Sequence, residues 1–296
     1  MDSKNHNLKH KIMRHKIVLP TDFSENAWHA IDYATMLFKN EPTDFYILNV
    51  FSATGNIVES LMKPQSGNDI YESKKWNSEN GLAKVLDKLV LTKKDNPKHR
   101  FKTVSMFNNT IDAIKDIVDK KDIEMIIMGT KGETHSRATA FGSTAIYVME
   151  KVRNCPVVVV PMEAEIKLPK EIVFPTGFEV PYKRRELVYL TDIAKKSDAS
   201  IIVLHVKEQD ELDDNQEENK SLLEEILADT SYKHHTLSHN SVIAAINVFV
   251  ESRDSDMVAF INKKHKFFGS ILSSPLVKEI SFHLNVPILA MHDLRN

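Results

Sequence analysis

GTKGETHSRATAFGST, Gly129 to Thr144, is the stretch around which the rest of the chain is organised. Before it stands the apolar run Ile123-Glu124-Met125-Ile126-Ile127-Met128, which reads as a buried strand. After it comes Ala145-Ile146-Tyr147-Val148-Met149-Glu150, with helical spacing. Glycines therefore stand at a strand exit, and Gly142-Ser143-Thr144 stands at a helix entrance. Glycine lets backbone N–H groups approach a ligand closely. A helix N-terminus adds unsatisfied donors and partial positive charge. Together they suit a phosphate, and the hydroxyls of Ser143 and Thr144 are placed to cap the helix or to bond a phosphate oxygen.

The spacing is Gly129, two residues, Gly132, nine residues, Gly142, then Ser143. Neither GxxxxGK[ST] nor GxGxxG occurs. The arrangement resembles the nucleotide-binding signature of the universal stress protein family, and every position of that signature is matched. In that family the loop wraps the ribose and phosphates of ATP. The resemblance implies a nucleotide-binding set of Pro20, Thr21, Asp22, Val50, Met128, Gly129, Lys131, Gly132, Gly142, Ser143 and Thr144. Within it Asp22 and Val50 are expected against the adenosine. Lys131, Ser143 and Thr144 are expected near the phosphates, with Mg²⁺ accompanying them. Read without the resemblance, Asp22 is a helix-entry residue beside Ser24, which reads as an N-cap, and Val50 is core.

The 296 residues are enough for two domains of ordinary size. Hydrophobic content of 42% and charged content of 27% are those of a globular protein in water. A formal net charge of −2 gives no electrostatic case for nucleic acid. No apolar run approaches membrane-spanning length, and MDSKNHNLKHKIMRHK lacks the apolar segment of a signal peptide. The first 14 residues are expected to be disordered, with His6, His10 and His15 as a solvated set rather than metal ligands. The one cysteine, Cys155, precludes an internal disulfide and reads as a small buried hydrophobe. This agrees with a reducing, cytoplasmic setting.

The chain repeats itself. Ile17-Val18-Leu19-Pro20-Thr21-Asp22-Phe23 matches Ile172-Val173-Phe174-Pro175-Thr176-Gly177-Phe178. Phe45 to Val50 matches Ile201 to Val206, and Cys155 to Val160 matches Val286 to Met291, in the same order. Two domains are expected, 15–162 and 169–293, joined at Glu163 to Pro169. In the first half, apolar runs near 16–20, 44–51, 100–106, 123–128 and 156–160 alternate with helical patterns at 24–38, 72–94, 109–119 and 142–152. Such alternation implies an α/β fold with a parallel sheet covered on both faces. The resemblance implies two Rossmann-like, five-stranded sheets of order 3-2-1-4-5. That order puts the winding reversal between strands 1 and 4, where open parallel sheets bind ligands. Pro20-Thr21-Asp22 and the glycine stretch would both open there.

The second half departs from the signature. Gly177 stands where Asp22 stands in the first, and Ile261 and Lys264 fall opposite Gly129 and Gly132. Ser273-Ser274-Pro275 replaces Gly142-Ser143-Thr144, and Lys263, Lys264, His265 and Lys266 with Phe267 and Phe268 read as an exposed loop. Two further segments, Ser52 to Asn68 and the acidic run Glu208 to Asn219, are expected as loops. Each half ends on an apolar strand that would be a hazard if left as an open edge, so the two are expected to pair in an internal pseudo-dimer. A further dimer of whole chains stays open. Three functions compete: a stress-responsive module binding ATP in its first domain, a slow ATPase, and a nucleotide-free interaction protein. No GxSxG or SGGxDS motif occurs, and no catalytic or metal-binding set is expected.

Overall fold

The computed structural model describes residues 13–52, 67–92, 96–130, 142–207, 212–239, 241–262 and 285–292. The first half runs β1 (His15–Pro20), α1 (Glu25–Leu37), β2 (Thr43–Phe51), α2 (Gly67–Thr92), β3 (His99–Phe107), α3 (Thr110–Lys121), β4 (Met125–Gly129), α4 (Ser143–Lys151) and β5 (Val157–Val160). The second runs β6 (Glu171–Thr176), α5 (Arg184–Ser197), β7 (Ser200–Lys207), α6 (Asp214–Leu227), β8 (Ser231–Ser238), α7 (Val242–Arg253), β9 (Met257–Asn262) and β10 (Ile288–His292).

Local chemistry sets the helix ends. Ser24 caps α1 by accepting from the Ala27 amide, and Asn109 caps α3 by accepting from that of Asp112. Three helices stop on an aspartate in the left-handed region, Asp122, Asp198 and Asp254, a position usually filled by glycine. The acidic run corrects one expectation. Asp213 is an N-cap, and Asp214 to Asn219 form the first turns of α6 instead of a loop. Carboxylates are stabilised by the positive end of a helix, so an acidic stretch before an apolar spacing marks a helix start. Gly67 and Asn68 likewise belong to α2 rather than to the preceding loop. The predicted lead-in (1–14) and the loop Lys263 to Ser270 lie almost wholly outside the described residues, as does Ser273-Ser274-Pro275.

All ten strands join one sheet, in the order β3-β2-β1-β4-β5-β10-β9-β6-β7-β8. Each half has the order 3-2-1-4-5, and pairing within each half is parallel. The halves meet where β5 and β10 pair antiparallel, Val158 opposite Leu289. The two edges expected to be hazards are thus each other's partners. One hydrophobic cluster covers one face of the sheet and a second covers the other, and each draws residues from both halves. Ile31 on α1 and Leu187 on α5 share the first; Ile114 on α3 and Ile246 on α7 share the second. The outer strands β3 and β8 carry Arg100, Lys102, Lys233 and His235, charges and imidazoles that blunt an open edge. Cys155 is buried, and burial pushes its thiol well above the usual range, so it is an inert packing group.

At the seam, His15 lies in β1 rather than in a solvated tail. It contacts Glu124 at 2.8 Å and Glu41 at 3.4 Å, and Lys196 of the second half reaches Glu41 at 3.5 Å. The hydrogen bond to Glu124 and the nearby carboxylates raise the imidazole's pKa above 6.5, against burial and Lys196, which lower it. A raised folded-state pKa contributes stability that is complete below 6.5 and is lost as pH climbs through the raised value. His15→Gln should therefore destabilise the protein in mildly acidic solution and have little effect in alkaline solution, read from urea midpoints across the pH range. Because the clusters are shared, Val158→Asp should cost at least about 3 kcal/mol by burying an unpaired carboxylate. Urea denaturation should show both halves failing in a single transition.

Candidate functional site

The winding reverses between β1 and β4, and a crevice of about 200 Å³ opens there at the carboxyl ends of the strands. Pro20, Thr21 and Asp22 line it after β1. Val50 enters from β2, Met128 and Gly129 from β4, and Gly142 and Thr144 from the start of α4. Segments more than a hundred residues apart in the chain converge on this one space. Ser143 opens α4 but is not among the lining residues. Lys131 and Gly132 lie outside the described residues.

The loop after β1 is held by its own polar groups. The Thr21 hydroxyl accepts from the Phe23 amide at 3.0 Å, and the Asn49 side chain donates to the Thr21 carbonyl at 2.7 Å. Phe23 takes a φ of 69°, a left-handed conformation that turns the chain sharply into α1. Asp22 is exposed, and its Oδ1 accepts from the Ser24 amide at 3.2 Å and hydroxyl at 2.6 Å. It thus serves the helix entry and faces the crevice at once. Among the described lining residues Asp22 is the only charged one.

Gly129 has a packing reason that the sequence did not show. A Cβ there would lie 2.7 Å from Asn26 Oδ1 and 2.9 Å from the Asn26 carbonyl oxygen. Asn26 itself is buried: it accepts from the Thr130 hydroxyl at 3.0 Å and donates to the Val160 carbonyl at 3.1 Å. It ties the ends of β4 and β5 to α1, and the missing side chain at 129 lets it fit. On the far side, the Gly142 amide donates to the Thr130 carbonyl at 2.7 Å. Gly142 is the N-cap of α4 and has no side chain to satisfy the first-turn amides, and amides at a helix start of this kind can bind an anion.

Asn49, Thr110, Thr130 and Ala145 also line the crevice, and sequence reasoning missed them. Asn49 had a signal, since it is the one amide in the apolar run of β2. Thr110 had none, because only the position of β3 beside β2 brings the start of α3 here.

The second half repeats the frame. The Thr176 hydroxyl accepts from the Phe178 amide at 3.0 Å, Phe178 has a φ of 56°, and His205 Nδ1 lies 2.9 Å from the Thr176 carbonyl, where Asn49 stands in the first half. Gly177 supplies no carboxylate, and its carbonyl accepts from the Gln216 side chain at 2.8 Å.

The family model of the universal stress protein family matches residues 13–161, just over half of the chain. The chain belongs to the universal stress protein family. A universal stress protein from Archaeoglobus fulgidus DSM 4304 is 17% identical, with a TM-score of 0.65 over 93% of this chain and 97% of that one. A protein from Pseudomonas aeruginosa UCBPP-PA14 is 10% identical, with a TM-score of 0.62 over 94% and 93%. At these identities the likeness concerns the fold, and it extends over both halves. No curated protein sequence matches the chain.

Gly129→Ala should cost about 1–3 kcal/mol, because the intruding methyl meets the hydrogen-bonded Asn26 side chain and the backbone of α1. Thermal denaturation of the variant would measure this, and an unchanged midpoint would show that α1 has room to move.

Proposed function

We propose that this protein binds ATP in the crevice of its first half and acts as a nucleotide-responsive regulatory or protective module in the stress response. One observation carries the reading: Pro20, Thr21, Asp22, Val50, Met128, Gly129, Gly142 and Thr144, expected from the family's signature, line a single crevice at the point of winding reversal. The residues present fit such a ligand. Asp22 stands at the mouth, where a carboxylate accepts from an adenine amine or a ribose hydroxyl. Val50 and Met128 supply apolar wall. The amides at the start of α4 offer donors and partial positive charge to phosphate oxygens. In this reading Lys131 and Gly132 complete the phosphate loop, Ser143 stands beside it, and Mg²⁺ rides on the phosphates with few protein ligands. Among the described residues no group of three or more His, Cys, Asp or Glu side chains is placed to hold a metal.

In the same reading the second half is a structural partner. It keeps the turn after its first strand but has Gly177 in place of the carboxylate. Its role is to complete the sheet. No helix of the described residues is long and apolar enough to cross a membrane.

The test is a thermal-shift titration with ATP, alongside mass spectrometry of ligand released from the purified protein. Ligand at a hundred times its dissociation constant should stabilise the protein by about 2.7 kcal/mol. Gly132→Val should abolish the shift while leaving the circular dichroism spectrum unchanged. A wild-type protein that neither carries a nucleotide nor responds to ATP would overturn the assignment and favour a nucleotide-free interaction protein.

A further inference from the structure

A second concave surface lies beside the crevice, in the angle between α1 and α2. It is a groove of about 540 Å³, within the range of small-molecule sites. Both of the chain's tryptophans, Trp28 on α1 and Trp76 on α2, line it. On α2, Trp76, Asn80, Lys84 and Lys88 recur every four residues and so form one stripe along the groove. Phe23 closes one end. Its ring lies directly on the backbone of α2 at Gly81, where a Cβ would come within 2.4 Å of it.

The two tryptophans are in different states. The face of Trp28 is already covered, because the Lys88 ammonium sits 3.8 Å from its ring centroid. Trp76 is 62% exposed. An indole with that much surface in water forgoes the burial that normally places tryptophan at least partly inside. Among the described residues the groove lining contains two ammonium groups and no carboxylate. An aromatic surface next to lysines with no carboxylate among the described lining residues is complementary to a flat ring bearing an anionic group. The ring would stack on Trp76, and the anion would take charge-assisted hydrogen bonds from lysine.

We propose that the groove between α1 and α2 binds a flat aromatic anion, an aryl carboxylate or aryl phosphate, with Trp76 as the stacking surface and Lys84 and Lys88 as counter-charges. The site is separate from the crevice, although Thr21 borders both. It does not depend on the nucleotide assignment.

Isothermal titration calorimetry of the full chain tests this with three probes: 2-naphthoate, 2-naphthylmethylammonium and cyclohexanecarboxylate. Tryptophan fluorescence serves as a second readout. The expected result is one-to-one binding of 2-naphthoate with quenched emission, and no measurable binding of the cationic or the alicyclic probe. Trp76→Ala, a change at an exposed position, should weaken 2-naphthoate by about tenfold or more through loss of the stacking surface. Lys84→Gln should weaken it by several-fold, and Thr144→Ala in the crevice should leave it unchanged. The proposal is overturned if 2-naphthoate fails to bind at millimolar concentration. It is equally overturned if the cationic probe binds as well, if Trp76→Ala binds with wild-type affinity, or if Thr144→Ala abolishes binding while Trp76→Ala does not.

Discussion

The antiparallel pairing of β5 with β10 is the contact on which the rest of the architecture depends. Val157 to Val160 and Ile288 to Met291 are almost wholly buried. As open edges they would present apolar side chains and unpaired backbone groups to water, which favours adventitious strand pairing. Joined, they satisfy each other's hydrogen bonds and fuse two sheets into one. The fusion carries the packing with it, because each face of the ten-stranded sheet is covered by a cluster drawn from both halves. A half removed from its partner would expose both its edge strand and part of two cores.

This dependence accounts for the different fates of the two copies. The constraint on the second half is to keep β10 apolar and its neighbours in register, and neither demand involves the loop at the crevice. Its strand–turn junction is retained in detail: the threonine hydroxyl, the left-handed phenylalanine and a polar side chain on the neighbouring strand recur in both halves. These groups fix the direction of the helix after the first strand. The Asp22 carboxylate holds Ser24 at the entry to α1, but α5 begins only at Arg184 with Lys183 as its N-cap, so Gly177 leaves the frame intact. Residues that shape the turn persist, and the carboxylate at the crevice does not.

The crevice and the groove share the loop Thr21 to Ser24 as their common wall. That loop is held from several sides, by the Thr21 hydroxyl, the Asn49 amide and the Ser24 cap. The wall is therefore rigid, and its two faces present different chemistry. One face is polar, with a carboxylate and the start of a helix opposite it. The other is aromatic and flanked by lysines. A universal stress protein of this form offers two unlike surfaces within a few residues of each other.

The sequence by itself determined the repeat, the alternation of strand and helix, the apolar terminal strands and most of the crevice lining. The repeat, the alternation and the apolar strands are local or periodic signals, readable from residue type alone, whereas the crevice residues were expected from the resemblance to the family's signature. Helix starts were less legible: the acidic run before α6 reads as a solvated loop until its capping by Asp213 is seen. Only the tertiary structure decided the rest. Thr110 joins the crevice because β3 lies beside β2, and Trp28 and Trp76 line one groove because α1 and α2 cover the same face. Gly129 reads as a ligand-facing glycine, yet its missing side chain also makes room for Asn26, a residue 103 positions earlier in the chain. Such contacts depend on which elements become neighbours after the sheet is wound, and no periodicity within either segment encodes them.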